Sequence, residues 1–270
     1  MMRRRTIGYG LAVALALGSA GSGVAMPARG TAGPEAVAGE ARVAGRRLPA
    51  RVRRDLAALR ARWRRRAFAA DWRRLARRYP APGNRDFIVV DIARERLDLF
   101  RDGRYRAGWR VSTSRFGIGQ RRGSDRTPVG VFRVVGELGR GGPADQVLNA
   151  AGPTGRFAKP VLAPGHLAAS RLIVGRILLL EGLQPGWNRD GDVDTLARDI
   201  FIHGTANVGM LGRPASRGCV QMAPGAVIRL ARMIPPGALV MITRGAGSLR
   251  RIPGPGTGPD NLDFSEIAKK

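Results

Sequence analysis

From residue 86 onward the chain breaks into short runs of strand-forming residues, separated at close intervals by glycine and proline. Few architectures accept that pattern. Phe87-Ile88-Val89-Val90-Asp91 is a brief apolar run, and Arg96-Leu97-Asp98-Leu99-Phe100 alternates with period two. Asp102-Gly103 predicts a tight hairpin turn into Tyr105–Ser112. Thr127-Pro128-Val129-Gly130 predicts a second turn, leading into Val131–Val135. Arg176–Leu180, Ile200–His203 and Ala238–Ile242 are further strand candidates. Pro224–Met233 reads as a short helix with Ala226, Val227, Leu230 and Ala231 on one face. The expectation is a mainly β (β-rich α+β) domain over residues 86–244, with a less regular Gly/Pro-rich insertion at 136–176. Aromatic residues make up only 6% of the chain, so its core rests on Val, Ile, Leu and Ala.

The N-terminal third has a different character. Arg3-Arg4-Arg5, the apolar run Ile7–Leu17 and the small residues Gly23-Val24-Ala25 predict a secretory signal over 1–25. The apolar run falls short of the roughly 20 residues that span a bilayer, which favours cleavage over a retained anchor. The chain is therefore expected in the periplasm or cell envelope. Residues 26–48 read as a linker. In 49–82, Leu56, Leu59, Trp63 and Ala67, then Phe68, Trp72, Leu75 and Tyr79, recur at helical spacing among arginines. This Arg-rich helical segment suits two roles. One is docking on an anionic envelope surface; the other, which we favour, is a solvated helix whose apolar stripe covers the main domain. The net charge of +27 comes almost wholly from arginine, since the lysines are only Lys159, Lys269 and Lys270. No groove-reading motif accompanies that charge, which argues against nucleic acid as a partner. Residues 245–270 read as a poorly ordered tail.

Cys219 is the only cysteine, so no intramolecular disulfide forms. A lone thiol is either an inert core group or a reagent. As a reagent it needs a base, and His203, sixteen positions upstream, is the candidate; His166 sits in the irregular segment and reads as a surface loop residue. The amides of Gly218 and Cys219 are the candidate oxyanion donors, because Gly218 permits a sharp turn. A carbonyl near Gly204 is the candidate acceptor that orients the imidazole. The helix expected shortly after Cys219 would lower the thiol pKa through its N-terminus. Asp190, Asp192 and Asp194 alternate as in a calcium loop, but Thr195 and Phe201 stand where that loop needs glycine and glutamate. With one Cys and two His, zinc has too few ligands. No metal and no cofactor are expected.

His203-Gly204-Thr205 followed by Pro214-Ala215-Ser216-Arg217-Gly218-Cys219-Val220-Gln221-Met222 closely resembles the signature of the YkuD-like L,D-transpeptidase catalytic domain. Ile88–Phe100, Val111–Ser114, Thr127–Phe132 and Leu180–Leu183 are similar to further landmarks of that family, in order, across about residues 86–244. The resemblance implies a β-sandwich with a short helix after the catalytic loop. It implies Cys219 as nucleophile and His203 as general base, with Gly218, Gly204 and Ser216 as oxyanion or orienting groups and Thr205, Arg217 and Gln221 toward substrate. It further implies peptidoglycan chemistry. A thioester with a stem tetrapeptide releases D-alanine and passes to an amine, giving a 3→3 crosslink or a lipoprotein link, or to water. This chain departs from the pattern twice: Arg217 stands where the family usually has histidine, and Gln221 where it usually has Arg or Asn. Arg217 is then expected to stabilise the thiolate or bind a substrate carboxylate. Two other readings stay open: a weakly active or non-catalytic wall-binding relative, and an exported cysteine peptidase.

Overall fold

The strand-rich pattern folds as a mixed β-sheet. The structure, a computed structural model, describes residues 42–43, 46–47, 51, 54, 73, 75–80, 85–165 and 172–245. The expected signal, the tail, His166 and most of the linker and Arg-rich segment lie outside the described residues. No helix among the described residues is long and apolar enough to cross a membrane.

In chain order the elements are β1 (Arg42–Val43), β2 (Arg46–Arg47), β3 (Asp86–Asp91), β4 (Arg96–Arg101), β5 (Arg104–Arg110), β6 (Gly130–Leu138), β7 (Gln146–Asn149), β8 (Gly152–Phe157), β9 (Ile173–Gly182), β10 (Phe201–Thr205), β11 (Val220–Met222), α1 (Pro224–Met233) and β12 (Leu239–Thr243). Among the described residues β1 and β2 pair with each other, antiparallel. The main sheet has ten strands, in the order β11-β10-β9-β6-β12-β3-β4-β5, with the β7–β8 hairpin attached to β9. The pairs β10–β11 and β12–β3 are parallel; the other pairs are antiparallel.

Local sequence explains several of these elements. Asp102 and Gly103 both take positive φ, as a two-residue hairpin turn demands, and they join β4 to β5. β3 lies between β12 and β4 and is buried along its whole length, which is why its sequence is an apolar run without alternation. β4 alternates until a bulge between Leu99 and Phe100. Leu97 and Leu99 then serve the main core, while Phe100 joins Phe87, Val89, Val131, Leu239 and Met241 in a second cluster. Leu75 and Tyr79 cover that second cluster, as the apolar stripe of the Arg-rich segment suggests. Residues 136–176 contain the end of β6, the β7–β8 hairpin and the start of β9, so part of that segment builds the sheet.

The two ends of the strand order meet. Just beyond β5, Ser112 and Gln221 of β11 exchange backbone hydrogen bonds of 2.9 Å in each direction. The sheet therefore curls over the main core, and its halves face each other as a flattened sandwich. Val220 and Met222 are fully buried there, each contributing roughly 1.5–3 kcal/mol by burial. α1 closes the core through Val227, Leu230 and Ala231 and packs on β9 and β10. The segment after β5 is clamped too: the buried Glu95 carboxylate accepts from the Thr113 amide and hydroxyl, both at 2.6 Å. This closure sets Ser112–Ser114 beside the loop that carries Cys219.

Candidate active site

The parallel pairing of β10 with β11 decides which side chains share a face. Ile202 is in register with Val220, His203 with Gln221 and Gly204 with Met222. Ile202, Val220 and Met222 belong to the main core. Side chains alternate along a strand, so His203 and Gln221 point to the opposite face, and Cys219, two residues before Gln221, points the same way. Cys219 is half-buried and packs with Leu148, Ile177 and Phe201.

His203 is only 3% exposed, and its Nδ1 lies 2.8 Å from the Gly204 carbonyl oxygen. A carbonyl can only accept, so Nδ1 carries the proton and Nε2 keeps its lone pair. Burial pushes the imidazole down to about 4, so it is neutral at physiological pH. Glycine is required at position 204 by space: a Cβ there would come within 2.1 Å of the Val174 carbonyl oxygen and 3.1 Å of Val227 Cγ1. A bulge against β9 falls between His203 and Gly204.

The loop before Cys219 is pinned by hydroxyl groups. Ser216 Oγ donates to the Cys219 carbonyl at 2.7 Å and accepts from the Gly218 amide at 3.2 Å. Thr127 Oγ1 donates to the Gly218 carbonyl at 2.8 Å and accepts from the Ser114 amide at 2.9 Å. Gly218 has φ +123, and a Cβ on it would meet Ile200 Cδ1 at 2.7 Å. Gly218→Ala is therefore expected to cost about 1–3 kcal/mol of stability, read by denaturant unfolding, together with most of the activity.

The polar residues around the thiol have distinct partners. Arg217 forms an ion pair with Asp125, which clips the 114–127 loop to the Cys219 loop. Gln221 is 7% exposed, and its Oε1 is buried without a hydrogen-bond partner. Thr205 is buried, and its hydroxyl accepts from the Asn207 amide at 3.1 Å, which stabilises the turn after β10. Asp194 accepts from the amides of Asp190 and Ala197, both at 2.9 Å, which explains the alternating aspartates as a turn. Among the described residues no group of three or more His, Cys, Asp or Glu converges to hold a metal. A separate groove of about 370 Å³ is lined by Trp109, Leu162, Val208, Leu211 and Ala226 and shares no residue with this site.

One electrostatic expectation is overturned. The helix after Cys219 starts at Pro224 as expected, but β11 stands between it and the thiol. Its N-terminus therefore does not activate the sulfur. Burial pushes the Cys219 thiol up to about 11, against an opposing hydrogen bond from the Phe201 backbone. Asp199 adds to the rise, and Arg198 is the cation that opposes it. The thiol donates to the Asp199 carbonyl oxygen at 3.2 Å, and no hydrogen bond joins it to His203 among the described residues. Because burial disfavours charge, the acid is raised and the base lowered, so the resting pair is neutral. Thiolate ultraviolet absorbance is expected to stay silent through neutral pH and rise only toward about 11. A titration step below about 7.5 would contradict this.

Sequence reasoning assigned no role to Arg198, Asp199, Asp125, Ser114 or Thr127. Val111–Ser114 and Thr127–Phe132 stand out as landmarks in the sequence, and they hold Ser114 and Thr127, which anchor the Cys219 loop. Arg198 is one of 47 basic residues and carried no signal of its own.

The family described as the L,D-transpeptidase catalytic domain, YkuD, matches residues 85–242. The chain belongs to this family. The YkuD domain takes up more than half of the 270 residues and holds every site residue named above. No curated protein matches the chain by sequence. Among solved structures it is similar to an L,D-transpeptidase from Mycobacterium smegmatis, at 16% identity and TM-score 0.37 over 60% of this chain and 59% of that one. It is also similar to an L,D-transpeptidase from Xylanimonas cellulosilytica DSM 15894, at 18% identity and TM-score 0.34 over 61% and 63%. A third is L,D-transpeptidase 3 from Mycobacterium tuberculosis in complex with a faropenem-derived adduct, at 14% identity and TM-score 0.37 over 60% and 61%. The YkuD chain spans about three fifths of the length of these solved relatives.

Proposed function

We propose that this YkuD domain is an exported cysteine acyltransferase that acts on peptidoglycan stem peptides. The observation that carries the reading is the shared face of His203 and Cys219, with Nδ1 bonded to Gly204 and Nε2 left as acceptor. Cys219 Sγ attacks the carbonyl carbon of the third stem residue, a diamino acid, and its proton passes to His203 Nε2. The amides of Cys219 and Gly218 stabilise the oxyanion, and the 3.2 Å bond from Gly218 to Ser216 Oγ is the one that yields. Collapse breaks the C–N bond to terminal D-alanine, whose nitrogen takes the proton from His203. In the second half, the side-chain amine of another stem attacks the thioester carbonyl. His203 accepts its proton and returns it to the departing sulfur. Water in place of the amine gives carboxypeptidase activity.

The roles of the other residues follow from their partners. Ser216 and Gly204 orient the loop and the imidazole. Gln221 Oε1, buried and unpartnered beside His203, accepts a hydrogen bond from a substrate N–H. Thr205 shapes the end of β10 behind that contact. Arg217, held by Asp125, borders the donor site and keeps the loop in place. Packing of Leu75 and Tyr79 on the domain supports a structural role for the Arg-rich segment over docking on an anionic envelope surface.

A weakly active or binding-only relative is the second reading. It is favoured by the resting thiol, which is neutral and bonded to the Asp199 carbonyl. Incubation of the purified protein with muropeptides, with products resolved by mass spectrometry, separates the readings. A 3→3-linked dimer is the expected product. A trimmed tripeptide alone makes the protein an L,D-carboxypeptidase, and unchanged muropeptides retained by the protein make it a binder.

A further inference from the structure

Arg198 lies next to the residue that binds the thiol and has no anionic partner among the described residues. It immediately precedes Asp199, whose carbonyl oxygen accepts a 3.2 Å hydrogen bond from the Cys219 thiol. Its guanidinium crosses to the neighbouring loop, donating to the Arg126 carbonyl at 2.8 Å and reaching 3.4 Å from Gly119 O and 3.5 Å from Ser124 Oγ. The Arg126 carbonyl oxygen in turn lies 3.4 Å from where a Cβ on Gly218 would stand. The guanidinium is thus threaded between the two loops that flank Cys219.

All of these acceptors are neutral. Arg217 is balanced by Asp125 and Arg189 by Glu181 and Asp190, but no ion pair among the described residues involves Arg198. Burial lowers its pKa, and only an ionised Cys219 would act against that fall. A half-buried, incompletely hydrated guanidinium suits a planar carboxylate, which it can bind through two parallel N–H bonds. A thiolate is a poorer match, and the neutral resting thiol offers no charge at all.

We infer that Arg198 is a specificity-determining residue that selects acyl donors carrying a free carboxylate beside the carbonyl attacked by Cys219. Its biological meaning rests on the acyl-transfer reading above. Two donor carboxylates have the right chemistry: that of the terminal D-alanine and that of the diamino acid side chain.

Two measurements test this and keep its failure distinct from failure of acyl transfer. The first is alkylation of Cys219 by iodoacetate against iodoacetamide, in wild type, Arg198→Gln and Arg198→Lys. The thiolate fraction cancels in the ratio of the two rates at one pH. The ratio is expected to fall about tenfold in Arg198→Gln and to be largely kept in Arg198→Lys, with unchanged melting temperatures marking both as folded. Equal ratios in wild type and folded Arg198→Gln would overturn the carboxylate receptor, whatever the protein does to muropeptides. The second is kcat/KM for tetrapeptide donors amidated at either carboxylate. Amidation of the recognised one is expected to cost wild type about tenfold or more and to leave Arg198→Gln indifferent, which identifies the carboxylate. If neither amidation changes kcat/KM for the wild type, the donor role is overturned.

Discussion

Cys219→Ala is expected to abolish covalent capture of a tetrapeptide donor and every product that follows from it. The chain has no other thiol, so no sulfur remains to form a thioester. The substitution is gentle on the fold. Cys219 is half-buried at the edge of a small cluster with Leu148, Ile177 and Phe201, and its loop is held by hydroxyls that do not involve the sulfur. A stability change of about 1 kcal/mol or less is expected. Loss of all products from a folded variant then reports chemistry alone. Trimmed or crosslinked muropeptides from Cys219→Ala would place the reaction on another group.

His203→Gln is expected to slow acylation roughly 100- to 10,000-fold. The reason lies in the charge states. With the thiol pushed up to about 11 and the imidazole down to about 4, sulfur cannot rely on a standing thiolate at neutral pH. It must lose its proton as it attacks, and Nε2 is the acceptor left open by the Nδ1 bond to Gly204. Glutamine retains an N–H for the Gly204 carbonyl but offers no base. Its rate should climb with pH as thiolate becomes available, while the wild type stays comparatively flat. Acylation within a few-fold of wild type across that range, measured as kcat/KM, would assign His203 a structural role.

Much of this arrangement is legible in the residues themselves. Asp102-Gly103 announces its turn, the β3 run announces a doubly buried strand, and the one-faced pattern of 224–233 announces α1. The His203–Gly204 and Ser216–Cys219 words locate the site. What they do not carry is long-range register. Ser112 meets Gln221 and Asp125 meets Arg217 across a hundred residues or nearly so, and no local periodicity encodes either meeting. β11 has only three residues, too few to show alternation, so the stretch after Cys219 reads as the approach to a helix. The helix itself starts at Pro224 as its residues announce, but the strand between it and Cys219 is hidden, and with it the upward direction of the thiol shift. Arg198 was hidden by composition: in a chain so rich in arginine, a single unbalanced one becomes visible only when its neighbours do.

The most direct test of the account is the intact mass of the wild-type protein after incubation with a stem tetrapeptide donor and no amine acceptor, quenched in acid. The account predicts a gain equal to the donor minus one alanine, mapped to Cys219 and missing from Cys219→Ala. An unchanged mass in folded wild-type protein, or an adduct that persists in Cys219→Ala, would contradict it.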